Sequence, residues 1–278
     1  MAAKNLSEIR QIVRQVLRDE FVAGTAQEWD DDELDEHILL CLDEVSERSP
    51  RRAWSPVIVT ANSKRIDISG IDGLIKVRHI EYTPGADPPN YHNAELLDNE
   101  TLLMDIDSSP SESGTYGTLT GTVTFTGGSA AVTGSGTAFS TELEAGDYIR
   151  KSGSTRWYRI YSVESDTALT LDEAAKAGDN GADTVSLTAY RSGVAVVYYD
   201  AAHTLTEAES TLKLNEENAV IKGTCAYAAI SRAKSLMNQI NDGGSAAPDK
   251  IQSWGISQLQ IYRDMLGRLK RVETKKSY

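Results

Sequence analysis

Four stretches of this 278-residue chain place apolar residues three and four positions apart, the spacing of a helix with one buried face. The first is predicted from about Leu6 to Phe21, with Leu6, Ile9, Val13 and Val16 as its stripe and Ile12 and Leu17 widening it. Asn5 followed by Glu8 is a capping-box pattern at its start. A second helix runs from Asp30 to about Glu47 on Leu34, Ile38, Cys41 and Val45, and Pro50 closes it. The third and longest begins at Asn215, a good N-cap, followed by Glu216 and Glu217 where the helix dipole favours acids. Gly223, Ala226, Ile230, Ala233, Met237 and Ile240 line one side of it, and Gly243-Gly244 stop it. The small residues early in that stripe allow another backbone to come close. The fourth helix, about Asp249 to Val272, carries Leu259, Tyr262, Leu266 and Leu269 on one stripe. Trp254, Ile261 and Met265 lie outside that stripe and are the candidate subunit contacts. Apolar residues on two faces imply two neighbours, the chain's own core and another subunit; the alternative is a terminal helix frayed at Gly255 and Gly267.

Elsewhere the period is two. Val57, Val59, Ile66 and Ile68 suggest a hairpin around Ala61–Ser63, followed by strands at Leu74–Tyr82 and Leu102–Ile106. With the apolar strand at Val194–Tyr199 these make a small sheet. Between Asp107 and Val194 the chain turns to short Thr/Ser/Gly-rich strands. Val123 and Phe125 lead into a Gly127-Gly128 turn, and Trp157, Ile160 and Val163 supply bulk. This reads as a small β-barrel or sandwich inserted in a surface loop. The predicted fold is therefore α+β: a helical bundle core of four main helices with a small sheet and an inserted all-β domain. Residues 1–110 plus 190–278 would form the core and 111–189 the insert. The strand–loop–helix unit from Gly193 to Ile240 is the piece on which the rest packs.

Charge alters this picture at one end. The net charge is −13, which argues against a general nucleic-acid binder, since phosphate contacts need Lys and Arg. The last sixteen residues oppose that balance, with Arg263, Arg268, Lys270, Arg271, Lys275 and Lys276 against Asp264 and Glu273. A basic tail on an acidic body implies two surfaces with different partners. No apolar run is long enough to span a bilayer, and the first residues lack the apolar segment of a secretion signal. Cys41 and Cys225 fall on helix interiors and read as two buried thiols, with a disulfide between them as the alternative.

Candidate chemistry is sparse. His37, His79, His92 and His203 fall in no metal-binding spacing. His37 reads as solvated, and His203, in the strand-to-helix loop, as a hydrogen-bond partner of backbone. The acids of Asp30–Glu36 read as a solvated helix start, and Asp172, Asp179, Asn180 and Asp183 fail the calcium-loop order. The glycine string Gly127–Gly136 lacks the Lys-Ser/Thr of a phosphate loop, and no nucleophile elbow is present. The reading is of a protein without enzymatic activity, cofactor or metal.

The strand and loop "VAVVYYDAAHTL" leading into an Ala-rich helix resembles the head–tail connector (adaptor) proteins of tailed bacteriophages, as does "WDDDELDEHILLCLDEVSERSP" near the N-terminus. The "GTVTFTGGSAAVTGSGTAF" segment is similar to a β-module of phage neck and tail proteins, a low-specificity likeness. The resemblance implies a homo-oligomeric ring, a dodecamer in the family, below the portal protein. Such a ring would extend the DNA channel, through which DNA passes without specific binding, and dock the next neck, tail or nozzle protein. It implies a virion location at the head–tail interface after synthesis in the host bacterial cytoplasm, with no membrane partner. In that family the C-terminal segment reaches the portal, which makes Arg268, Lys270, Arg271, Lys275, Lys276 and Tyr278 the docking candidates. The alternative is a glycan- or receptor-binding tail component that uses the insert. Trp157, Tyr158 and Tyr161 would be its platform, although alternation sends Trp157 and Tyr161 toward a core.

Overall fold

The computed structural model describes residues 3–19, 27–183, 186–189, 193–239 and 247–269. It is a mixed α+β protein with five helices and three sheets among those residues. Packing divides it into two compact units, one formed by residues 1–51 and 202–278 and the other by 52–201.

The helical unit contains α1 (Leu6–Leu17), α2 (Asp31–Arg48), α4 (Leu214–Gln239) and α5 (Ala247–Leu269); α3 belongs to the other unit. The capping box at Asn5 and Glu8 forms, and Asp30 caps α2 by accepting from the Glu33 N–H. Helix α1 stops at Leu17, short of Phe21, because Arg18 takes a left-handed conformation (φ 58°). Arg14 and Asp19 then bond across that turn, and Asp19 accepts from the Glu28 N–H. Helix α4 starts at Leu214, one residue before Asn215, since Glu216 reaches back to accept from the Lys213 N–H at 2.8 Å. The expected stops at Ile240, Gly243-Gly244 and Val272 lie outside the described residues.

One apolar core serves all four of these helices: Ile9, Val13, Leu34, Ile38, Cys41, Val45, Ala219, Val220, Cys225 and Tyr262 are buried in it. Both cysteines are free thiols, and burial pushes each up to about 12. Small residues on α4 set the distance to α5. A Cβ on Gly223 would stand 2.6 Å from Cys41 Sγ and 2.9 Å from the Tyr262 ring. One on Gly255 would meet Ile230 at 2.9 Å and the Ala226 carbonyl at 3.2 Å. Gly255 is thus a packing position inside an intact helix and not a point of fraying.

The β unit contains β1 (Arg51–Ile58), β2 (Arg65–Asp67), β3 (Leu74–Glu81), β4 (Tyr91–His92), β5 (Ala94–Leu96) and β6 (Thr101–Met104). These are followed by β7 (Tyr116–Thr118), β8 (Thr122–Phe125), β9 (Ala131–Ser135), the one-turn α3 (Phe139–Glu142) and β10 (Tyr148–Lys151). The last strands are β11 (Tyr158–Ser165), β12 (Ala168–Leu171), β13 (Gly181–Asp183), β14 (Ser186–Ala189) and β15 (Val194–Ala201). Strands β1, β15, β3 and β4 form one sheet in that order, and β2, β6 and β5 form a second. The expected hairpin around Ala61–Ser63 is not made: β1 and β2 belong to different sheets. Val57, Val59, Ile66 and Ile68 still share one core with Ile80, Leu102 and Met104, so the alternation marked the buried face correctly and the pairing wrongly.

The remaining eight strands form one antiparallel sheet, β13-β8-β9-β12-β11-β10-β14-β7, curled as a half-barrel. Val123, Phe125, Phe139, Ile149, Tyr158, Ile160 and Leu169 fill its core. A second small cluster, Tyr148 and Trp157 with Val194 and Val196, ties this sheet to the four-stranded one. That contact is why packing draws the unit boundary at 51 and 202, whereas composition changes at 110 and 190. Where the chain enters and leaves the β-rich segment, Gly114 and Gly193 lie backbone to backbone, and a Cβ on Gly114 would fall 1.8 Å from the Gly193 oxygen.

The glycines of the helical unit give a paired prediction. Gly223→Ala should lower unfolding stability by about 1–3 kcal/mol, overpacking outweighing the roughly 1 kcal/mol gained in helix propensity. Gly267→Ala, with open space around it, should raise stability by up to about 1 kcal/mol. Urea unfolding of the two variants checks both signs.

Candidate functional site

The loop between β15 and α4 is held by one buried histidine. His203 Nε2 lies 2.7 Å from the Ser49 carbonyl, which can only accept, so the neutral ring carries its proton there. Nδ1 then accepts from the Thr211 hydroxyl at 3.2 Å. The His203 N–H donates to Ser46 Oγ at 2.9 Å, and that hydroxyl donates in turn to the Leu42 carbonyl. Glu216, on the first turn of α4, accepts from Ser49 Oγ at 2.8 Å. The end of α2, the loop and the start of α4 are thereby joined through His203 and Glu216 together. Leu205 and Leu212, on either side of the loop, are buried in the helical core. Lys4 adds a third anchor, its backbone and side-chain nitrogens both donating to Glu217, at 2.8 and 2.6 Å. Nothing in this arrangement presents the imidazole to a substrate; its exposure is 6 %.

The surface features are apolar. On α5, Trp254, Ile256 and Ile261 are exposed at 37, 55 and 43 %. Trp254 and Ile261 therefore lie on the solvent-exposed side of α5. Met265 does not: it packs, partly buried, against the helical core with Leu259 and Leu266. On α2, Leu39 and Leu40 are about half exposed; sequence reasoning passed over them, although their positions off the stripe Leu34–Ile38–Cys41–Val45 were the available signal. Val16, read as part of the α1 stripe, is exposed as well. It joins Leu17, Trp29, Ile251 and Trp254 in a groove of about 500 Å³, to which Arg18, Glu28 and Lys250 add charge. Arg268 is exposed in the last turn of α5. Lys270, Arg271, Lys275, Lys276 and Tyr278 lie outside the described residues.

The other candidates resolve into structural roles. Among the described residues, no group of three or more His, Cys, Asp or Glu could hold a metal ion. The acids that open α2 are partly paired with α1: Arg10 makes two bonds to Asp35, at 2.8 and 2.6 Å, and Arg14 bonds Asp31 at 2.6 Å. The Arg14 bond holds the Asp31 carboxyl below its ordinary range. His37 is half-buried beside Tyr227, where burial lowers its pKa, so it is not the solvated side chain its position suggested. Asp179 is buried and accepts from the Tyr158 hydroxyl at 2.6 Å; burial, then this bond, pushes that phenol up to about 12. Trp157 and Tyr158 are both buried while Tyr161 is 69 % exposed, so the three form no platform. The alternation starts only at Tyr158, where β11 begins, and this sends Tyr161 outward. Among the described residues no helix is long and apolar enough to cross a membrane. No protein-family model matches this chain, and no curated protein matches it.

His203→Ala removes the donor to Ser49 and should cost about 1–3 kcal/mol of stability, the penalty of leaving a buried polar group unanswered. His203→Gln, whose amide can still donate, should recover part of it. A loss below about 0.5 kcal/mol in thermal or urea unfolding would show that the loop does not depend on the ring.

Proposed function

We propose that this protein is a structural head–tail adaptor of a tailed bacteriophage, forming a ring below the portal that extends the DNA channel and docks the next neck or tail protein. In this reading the four long helices are the bundle core of the connector fold and the β-rich segment is its insert. The observation that carries it is that two separate helices of one unit expose apolar side chains, Leu39 and Leu40 on α2 and, on one flank of α5, Trp254 and Ile261. A head-to-tail ring needs two different, complementary patches on each subunit, whereas a two-fold dimer needs only one. The acidity of the chain supports the same reading, because a conduit lined with negative charge repels phosphates and lets DNA slide. The protein is then a shape repeated around an axis, and its work is mechanical.

A glycan- or receptor-binding tail component is the second reading. The platform first expected of Trp157, Tyr158 and Tyr161 does not support it, but a cleft elsewhere in the β unit does.

Two variants test the ring. Leu39→Glu with Leu40→Glu removes one surface, and Trp254→Glu with Ile261→Glu removes the other. Each alone should abolish rings in electron micrographs of the protein mixed with portal. Mixed together they should form a one-to-one heterodimer by analytical ultracentrifugation, since each retains the patch the other lacks. Rings persisting in both variants would remove the reading. The basic tail gives a separate outcome: deleting residues 270–278 should leave the melting temperature unchanged and weaken portal binding. Undiminished binding would take portal docking away from Lys270, Arg271, Lys275, Lys276 and Tyr278.

A further inference from the structure

A cleft of about 240 Å³ opens in the β unit where the four-stranded and eight-stranded sheets meet. Its apolar wall is Trp54 of β1 against Tyr148 of β10, with ring centroids 5.7 Å apart and planes inclined at 60°. Tyr198 of β15 completes it, fixed by donating its hydroxyl to Glu81 Oε2 at 2.8 Å. Glu81 is buried, and its other oxygen accepts from the Gly85 N–H at 2.9 Å. Each of these oxygens retains a lone pair for a further donor.

Arg159 of β11 lies across this wall. Its Nη1 is 3.5 Å from Asp172 Oδ2, and its Nε is buried with no hydrogen-bond partner among the described residues. The guanidinium reaches the loop at Gly85, where a Cβ would stand 3.2 Å from Nη2. About 40 % of the Arg159 side chain is exposed, so its two terminal nitrogens, and not the enclosed Nε, are the donors open to the cleft.

The chemistry of a ligand follows from this inventory. An ammonium ion would stand beside a guanidinium and repel it. A phosphate or carboxylate would meet Glu81, Asp172 and Glu173 against one cation. A neutral ring bearing neighbouring hydroxyls both donates and accepts, and its C–H face packs on aromatic rings. The volume, below the roughly 300–1,000 Å³ of drug-sized sites, suits one such ring. We infer that this cleft binds a single neutral saccharide ring, packed on Trp54 and Tyr148, with hydroxyls accepting from Arg159 and donating to Glu81 and Asp172. The inference does not depend on ring assembly and stands or falls without it.

Saturation-transfer difference NMR on the full chain tests it, with D-glucose, D-galactose, D-mannose and N-acetyl-D-glucosamine as probes and n-butylammonium and inorganic phosphate as controls. At least one sugar should give a saturable signal in the millimolar range, strongest at its ring C–H protons. Arg159→Lys keeps the charge but loses the planar pair of terminal donors. This variant and Trp54→Ala should each weaken binding about tenfold or more, and Asp172→Asn should weaken it less. The melting temperature of Arg159→Lys should be unchanged, which separates a lost ligand contact from lost folding. Absence of a saturable signal from all four sugars would overturn the inference. So would a sugar signal that survives in both Arg159→Lys and Trp54→Ala, or tighter binding of n-butylammonium or phosphate than of any sugar.

Discussion

The close approach of α5 to α4 is the constraint on which the helical unit depends. Gly223, Ala226 and Ala229 on α4 leave no side-chain bulk where Tyr262 and Gly255 of α5 come in. Tyr262 is wholly buried, its hydroxyl 3.4 Å from the Cys41 carbonyl of α2. One aromatic ring therefore spans three helices, and a methyl group at Gly223 would displace it. Dense interiors transmit such a displacement because they contain few voids to absorb it. The same packing decides what α5 offers to solvent. With Leu259, Tyr262 and Leu266 committed inward, Trp254, Ile256 and Ile261 have no place in the core and remain outside.

Polar contacts do a second job in this unit: they fix register where apolar contacts alone would allow sliding. His203 joins the last turn of α2 to the loop before α4, and Arg14 joins α1 to Asp19, to the Trp29 carbonyl and to Asp31. Arg14 and Asp19 are both nearly buried, so their attraction is offset by the cost of leaving water, and the pair adds little net stability. Its effect is geometric. The guanidinium has several donors in one plane, and only one arrangement of the α1–α2 connection satisfies them together.

How much of this was legible in the sequence varied with the kind of signal. Helix starts were plain, since Asn5–Glu8 and Asp30–Glu33 are local patterns whose partners lie three residues away. The stripe on α5 was plain for the same reason. The end of α1 was not, because Arg18 turns left-handed to serve contacts from Asp19 to Arg14 and Glu28 that no periodicity records. Strand faces were legible and strand partners were not: Val57 and Ile66 share a core although β1 and β2 share no hydrogen bonds. Alternation specifies which side of a strand is buried, while pairing rests on contacts far away in the chain. Gly114 and Gly193 lie where two distant backbones touch, a contact that no local pattern records. The cleft of Trp54, Glu81, Tyr148, Arg159 and Tyr198 draws on five strands' worth of chain and has no local signature at all.

The two proposed surfaces are energetically unlike, and that difference suits them to one assembly. Exposed leucine, isoleucine and tryptophan side chains gain roughly 25 cal/mol for each Å² of apolar area removed from water, enough to hold subunits together once several are covered. A cleft for one sugar ring gains far less, since a handful of hydrogen bonds to a neutral ligand replaces bonds already made to water. A single such site would bind only weakly. Repeated around a proposed ring it need not be strong, because each engaged site raises the effective concentration of the next and the combined affinity can exceed the single one by orders of magnitude. The number of subunits in such a ring would then set how many clefts act together, and oligomerisation would set the strength of recognition.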